Sequence, residues 1–269
     1  MTDYADILKK SLRFSVHPKR WLPFFIVDAV FYAAVIQFVL SNLGGLVGMM
    51  SSAELSLEAA ATFVYFIGTV LAMSAVFWLI RTWVQGAVIL QSAREKDRVA
   101  GTFNYGLRRY ISLVLATAVV AIIGMAVSIV PYIGSILSII VSIVLVFVAQ
   151  GVMVSKMGFA GALGSAFDMF RNRPGSVFLA WLATALVSLI IAGIFLLPAF
   201  AAFGVTMLPA LVSMGAEASI MSVVLLMMQN ITLLAVVGVI FTIGTSIAAA
   251  FSTKSLTEFY MAWHKRKLV

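Results

Sequence analysis

The sequence predicts an all-α, polytopic membrane protein with six transmembrane helices, and three observations carry that expectation. Of its 269 residues, 63% are apolar and only 10% charged, with a mean hydropathy of +1.11; a soluble domain of this length could not bury so much apolar surface. Six apolar runs are long enough to cross a bilayer core, which takes about 20 residues of helix. All eighteen Lys and Arg residues fall into four clusters, and the long apolar connections between clusters hold none.

The runs lie at 21–43, 59–83, 110–130, 134–154, 176–203 and 220–251. Lys9, Lys10, Arg13, Lys19 and Arg20 precede the first, and Arg81, Arg94, Lys96, Arg98, Arg108 and Arg109 lie between the second and third. Lys156, Arg171 and Arg173 separate the fourth from the fifth, and Lys254, Lys265, Arg266 and Lys267 follow the sixth. The opposite connections carry only Glu54, Glu58 and Glu217. Basic loops are retained in the cytoplasm, so this alternation predicts a multi-pass plasma-membrane protein with both termini cytoplasmic. On the outer side, 44–58 reads as a loop, Pro131-Tyr132-Ile133-Gly134 as a tight turn, and 204–218 as a short interfacial helix around Pro209.

The first residues do not resemble a cleavable signal, because Asp3, Asp6, Lys9, Lys10 and Arg13 interleave with apolar positions and no short apolar core with a small-residue cleavage site follows. Tyr4, Ile7, Leu8 and Leu12 instead form the apolar side of an amphipathic helix. Phe159, Leu163, Ala166, Phe167 and Phe170 repeat the pattern before the fifth span. Such basic amphipathic elbow helices lie in the head-group plane. Pro18 and Pro174 mark two elbows, since proline lacks an N–H and disfavours helix in the residue before it; the middle segment, 101–109, has no proline. The chain reads as one integral membrane domain, with a three-fold tandem hairpin repeat over 1–98, 99–155 and 156–269 as its internal plan. The plainer alternative is that any six-span protein shows basic amphipathic segments ahead of its spans.

Small residues recur at every fourth position: Ala180, Thr184, Ser188 and Ala192; Gly238, Thr242, Ser246 and Ala250; Gly134, Ser138 and Ser142. Close helix packing explains such faces better than a polar conduit does. Asp28 stands about two turns inside the first span, with Arg81 at comparable depth in the second, and an Asp28–Arg81 intramembrane ion pair is the expected relief of that charge. Gln37, Gln150, Gln229 and Asn230 are expected to form interhelical hydrogen bonds, the last two near the middle of the sixth span. Lys9, Lys10, Arg13, Lys19, Arg20, Arg108, Arg109, Arg171 and Arg173 are the candidate contacts to anionic lipid head groups.

No Cys is present, and no zinc-protease, phosphate-loop, nucleophile-elbow or dinucleotide motif occurs. Neither a catalytic residue, a metal ligand nor a cofactor is expected. Asp168, His17 and His264 are the loose candidates for lipid chemistry. The fourteen Met residues suit irregular packing rather than copper. The net charge of +8 flanks the spans and points to lipid rather than nucleic acid.

The segment 162–174, Ala-Leu-Gly-Ser-Ala-Phe-Asp-Met-Phe-Arg-Asn-Arg-Pro, and the Pro131-Tyr132-Ile133-Gly134 turn resemble uncharacterised archaeal and bacterial six-span families. These are related to the membrane domain found in some glycerophosphodiester phosphodiesterases. The resemblance covers nearly the whole chain and implies a helical membrane domain without catalytic residues of its own. The expected role is non-enzymatic: membrane organisation, lipid interaction, or scaffolding of a protein partner or second copy. A small transporter or channel with a polar site around Asp28, Thr184, Ser188 and Asn230 is the alternative.

Overall fold

A computed structural model describes residues 3–42, 44–45, 57–94, 99–214, 222, 226 and 228–264. Glu54, Lys96, Arg98, Glu217, Lys265, Arg266, Lys267 and most of 215–227 lie outside these. Among the described residues every regular element is a helix: α1 (Tyr4–Val16), α2 (Pro18–Ser41), α3 (Leu57–Ala93), α4 (Val99–Arg108), α5 (Tyr110–Ser128), α6 (Gly134–Val144), α7 (Val148–Met153), α8 (Phe159–Asn172), α9 (Pro174–Met214) and α10 (Ile231–His264).

Among the described residues, six stretches are long and apolar enough to cross a membrane: Pro18–Ser41, Ala60–Ala93, Tyr110–Ser128, Gly134–Met153, Pro174–Thr206 and Ile231–His264. Four match the expected spans with slightly shifted ends, and the second runs on past Trp83 to Ala93. The sixth differs more, because its helix runs on past Phe251 to His264 rather than leaving the apolar environment at Lys254. At 1.5 Å per residue, the 34 residues of α10 and 37 of α3 make rods of about 50 Å and 55 Å, against a hydrocarbon core of ~30 Å. Each must therefore project well beyond it. The fourth span is not one helix, since i→i−3 bonds such as Val148 N–H to Leu145 O (3.1 Å) interrupt it between α6 and α7. Residues 204–214, expected as part of a separate interfacial helix, instead continue α9 through Pro209.

Three short amphipathic helices each lead into a span helix through a single non-helical residue. His17 (ψ 123°) separates α1 from α2, Arg109 separates α4 from α5, and Arg173 (φ −147°, ψ 56°) separates α8 from α9. In the first and third cases the following residue is proline, which pushes its predecessor out of helix and suits the first helical position. Asp3 caps α1, its Oδ1 accepting from Asp6 N–H at 3.1 Å.

The chain forms two compact units. The first comprises Met1–Phe24, Leu79–Ile191 and Ile247–Val269 and holds the largest buried core. Phe259, Tyr260 and Trp263 of α10 pack with Phe147, whose ring meets Trp263 edge-on at 5.6 Å. Tyr4 of α1 lies 5.1 Å from the Phe259 ring. Ser155 and Tyr260 share a 2.6 Å hydrogen bond. The amphipathic helices turn part of their apolar stripes to this core, Tyr4 and Ile7 from α1 and Leu163, Ala166 and Phe170 from α8. α8 also buries Ala162 and Met169 and leaves Phe159 and Phe167 exposed, while α1 also buries Ser11, Phe14 and Ser15 and exposes Leu12. The approach at α8 is close: a side chain at Gly151 of α7 would stand 3.2 Å from the Ala162 Cβ, so a small residue fits at that point.

The second unit, Phe25–Trp78 and Ala192–Ser246, leaves most of its large apolar side chains exposed, among them Ile26, Val30, Val64, Leu71, Leu197 and Val239. That is the arrangement of helices whose solvent is lipid. Rings join α2 to α3, with Phe31 stacked on Phe77 at 4.1 Å and Phe38 on Phe66 at 5.3 Å. Between α9 and α10 the approach is tight, for a Cβ on Gly244 would run into the Phe195 Cβ. Gly244→Val is therefore expected to destabilise the protein by about 1–3 kcal/mol through overpacking, read as a lower unfolding midpoint in detergent. Adding Phe195→Gly, which removes the Cβ that the new side chain meets first, should make the pair less harmful than the sum of the single changes, and strict additivity would show that the two positions do not touch.

Candidate functional site

Lys254 is the most unusual residue of the first unit, because it is a lysine at 1% exposure in the middle of the α10 stretch that packs the core. The sequence offers it three kinds of partner. Its Nζ donates to the Ser92 carbonyl at 2.8 Å, stands 2.6 Å from Glu258 Oε1 one turn along α10, and faces the Phe14 ring of α1 at 5.3 Å. Ser92 belongs to the last turn of α3, where carbonyls have no intrahelical donor and the helix dipole is negative. The lysine thus caps α3 from another helix.

Gln91, beside Ser92, is fully buried and joins two more elements. Its Oε1 accepts from Arg20 Nη1 at 3.0 Å, and its Nε2 donates to Thr102 Oγ1 of α4 at 3.2 Å. Arg20 also lies over the Phe14 ring at 4.7 Å. The final turn of α3 is therefore where α1, the start of α2, α4 and α10 meet through polar side chains. Next to it opens a cleft of about 460 Å³ lined by Lys10, Ser92, Ala93, Arg94, Lys254, Glu258 and Met261. Lys10, which pairs with Asp6 at 2.8 Å, and Arg94 are exposed, and Lys254 is not.

The expected head-group residues divide. Lys9, Lys10, Arg13, Lys19, Arg108, Arg171 and Arg173 are exposed. Arg20 is turned inward as above, and Arg109 donates to the Lys156 carbonyl at 2.9 Å. Asp28 is buried within the second unit, and Arg81, half-buried, belongs to the first. Of the polar span residues expected to bond between helices, Gln37 reaches Ser41 of its own helix. Asn230, at the start of α10 rather than mid-span, reaches the Leu226 carbonyl, and the buried Gln150 Oε1 accepts no hydrogen bond. One bond that crosses between spans joins Thr184 to Ser255, 2.8 Å between α9 and α10. His17 ends α1, His264 stacks on Tyr260 and Asp168 is exposed on α8. Among the described residues no three His, Asp or Glu side chains gather as metal ligands.

Sequence reasoning passed over Lys254, Glu258, Gln91 and Thr102. The available signal was the Lys254–Glu258 spacing of four together with Thr253, Ser255 and Thr257, an unbroken helical continuation of the sixth run. Removing one partner of a buried ion pair costs roughly 3–5 kcal/mol, and Glu258 is 24% exposed, which places Lys254→Met near the lower end. Denaturation in mixed micelles should register that loss, with part of it recovered in Lys254→Met/Glu258→Gln. A single variant within about 0.5 kcal/mol of the parent, the range of ordinary surface changes, would remove the cap from the account. No protein-family model matches the chain, and no match is found among the curated proteins or the solved structures.

Proposed function

We propose that the chain is a non-enzymatic, multi-pass protein of the plasma membrane, with both termini in the cytoplasm, that organises anionic lipid at its cytoplasmic surface. One observation carries the reading: the three amphipathic helices of the first unit present exposed cations beside exposed apolar side chains. Lys9 and Arg13 flank Leu12 on α1, Arg108 follows Leu107 on α4, and Arg171 shares α8 with Phe159 and Phe167. A helix with cations beside apolar groups holds to an anionic interface by both terms at once, at about 1 kcal/mol per cation near the surface. The charge alternation along the sequence supports the orientation. The resemblance to a membrane domain without catalytic residues of its own fits the same role, and a protein partner or second copy could be held on the same scaffold.

Replacing Lys9, Arg13, Arg171 and Arg173 together by Gln should lower the anionic lipid retained through purification, measured by mass spectrometry against phosphatidylcholine. Retention and topology both unchanged would reduce these charges to no role at the interface.

A small transporter is the second reading, favoured by the burial of Asp28 at 2% exposure within a span-length helix. Buried intramembrane carboxylates commonly serve proton or cation pathways. On that reading the wild-type chain dissipates an imposed proton or sodium gradient in liposomes and Asp28→Asn does not; a wild-type protein that leaves both gradients intact eliminates it.

A further inference from the structure

The hairpin that α5 makes with the fourth span has a charged base and an uncharged tip. Between Arg109 and Lys156 the chain holds no Asp, Glu, Lys or Arg, and these two residues close the base, Arg109 Nη1 donating to the Lys156 carbonyl at 2.9 Å. From there the 19 residues of α5 rise about 28 Å, and the 20 residues of Gly134–Met153 return about 30 Å. Each limb is one thickness of a hydrocarbon core of ~30 Å. With its cations at one interface, the hairpin brings its turn to the other.

That turn is built to hold one side chain outward. The Ile133 N–H donates to the Pro131 carbonyl at 2.8 Å across Tyr132, and the Gly134 N–H donates to the Val130 carbonyl at 2.9 Å. A Cβ on Gly134 would run into the Ser128 carbonyl, so the turn closes there only with glycine. Tyr132 stands at φ 66°, and a three-residue turn of that hand is rare and strained. Glycine or asparagine would enter it at less cost. The Tyr132 ring is fully exposed, with Ile129, Ile133 and Ile136 exposed near it, so packing within the chain does not offset the strain. What favours a tyrosine at this point lies outside the protein.

We propose that the turn is an anchor in the leaflet opposite the amphipathic helices, with the Tyr132 ring among the glycerol and ester groups of the lipid and the three isoleucines in the acyl chains beneath. A ring with an apolar body and a hydroxyl tip suits that level, and moving it out of water offsets the backbone strain. A tip that ends one core thickness from its base stops in the interface, which favours lipid over a soluble partner. The anchor requires no anionic lipid and is independent of the role proposed for the basic helices.

The test compares Tyr132→Trp with the parent, both as the full chain in phosphatidylcholine nanodiscs, and takes the difference in emission to isolate the new ring from the five natural Trp. Lipid brominated near the head of its acyl chains should quench that difference more than lipid brominated near the chain ends. Aqueous iodide should quench it less than it quenches free N-acetyltryptophanamide. Quenching by iodide as strong as that of the free compound puts the tip in water and overturns the anchor. Stronger quenching from the chain ends puts it inside the core, and protection from all three quenchers puts it against a second copy; either result overturns the anchor as well. Tyr132→Asn, though suited to the left-handed φ, should lower the unfolding midpoint in phosphatidylcholine bicelles while Tyr132→Trp retains it. An asparagine midpoint at or above the parent's would show that the ring offsets no strain, and the anchor would fall.

Discussion

A lysine ammonium at 1% exposure can persist only if its charge and all its donors are met. In this fold that requirement fixes where several helices end. The Ser92 carbonyl is free to accept because it lies in the last turn of α3, and Glu258 can pair with Lys254 only while α10 remains helical one turn further on. The buried hydroxyls around the lysine are met in the same way. Ser255 bonds Thr184 across to α9, and Thr257 returns to the Thr253 carbonyl at 2.7 Å. Continuation of α10 past its apolar stretch is thus a condition of placing Lys254, and the Phe259–Tyr260–Trp263 core of the first unit exists because that continuation does.

Much of the fold was legible because membrane helices answer to constraints that act along the chain. Length, apolarity and proline position are local, so Pro18 and Pro174 mark helix starts correctly, and Tyr110 and Gly134 begin helices as expected. The end of the sixth helix was not legible. Lys254 resembles the lysines that flank spans, and only partners from α1 and α3, more than 160 residues away in sequence in the case of Ser92, turn it into an interior residue. The apolar stripe of α8 was legible only in part. Leu163, Ala166 and Phe170 meet the core and Phe159 and Phe167 do not, while Ala162, outside the stripe, is buried by the tight contact at Gly151.

The same distinction divides the basic residues. Nine cations share the sequence signature of head-group contacts, and two of them also bond within the protein: Arg20 completes the Gln91 network, and Arg109 ties its elbow to the carbonyl of Lys156, a residue held at a positive φ of 58°. Arginine suits that work because several directed donors reach partners that a lysine would meet singly. Proximity to an interface in sequence therefore limits where a cation resides without saying whether it faces lipid or protein.

Hydroxyls within the spans make an instructive contrast with the end of α3. Thr117, Ser142, Thr206, Thr242 and Ser246 all donate to a carbonyl three or four residues back in their own helix, which satisfies the donor without a neighbour. Such residues add little to polarity available for a ligand, even where a spacing of four aligns them. At the end of α3 the polar side chains instead reach other helices, Gln91 bonding Arg20 and Thr102, and Lys254 bonding the Ser92 carbonyl. The side chains that bridge helices in the first unit accordingly gather at the end of α3, where Gln91 and Ser92 bring α2, α4 and α10 together.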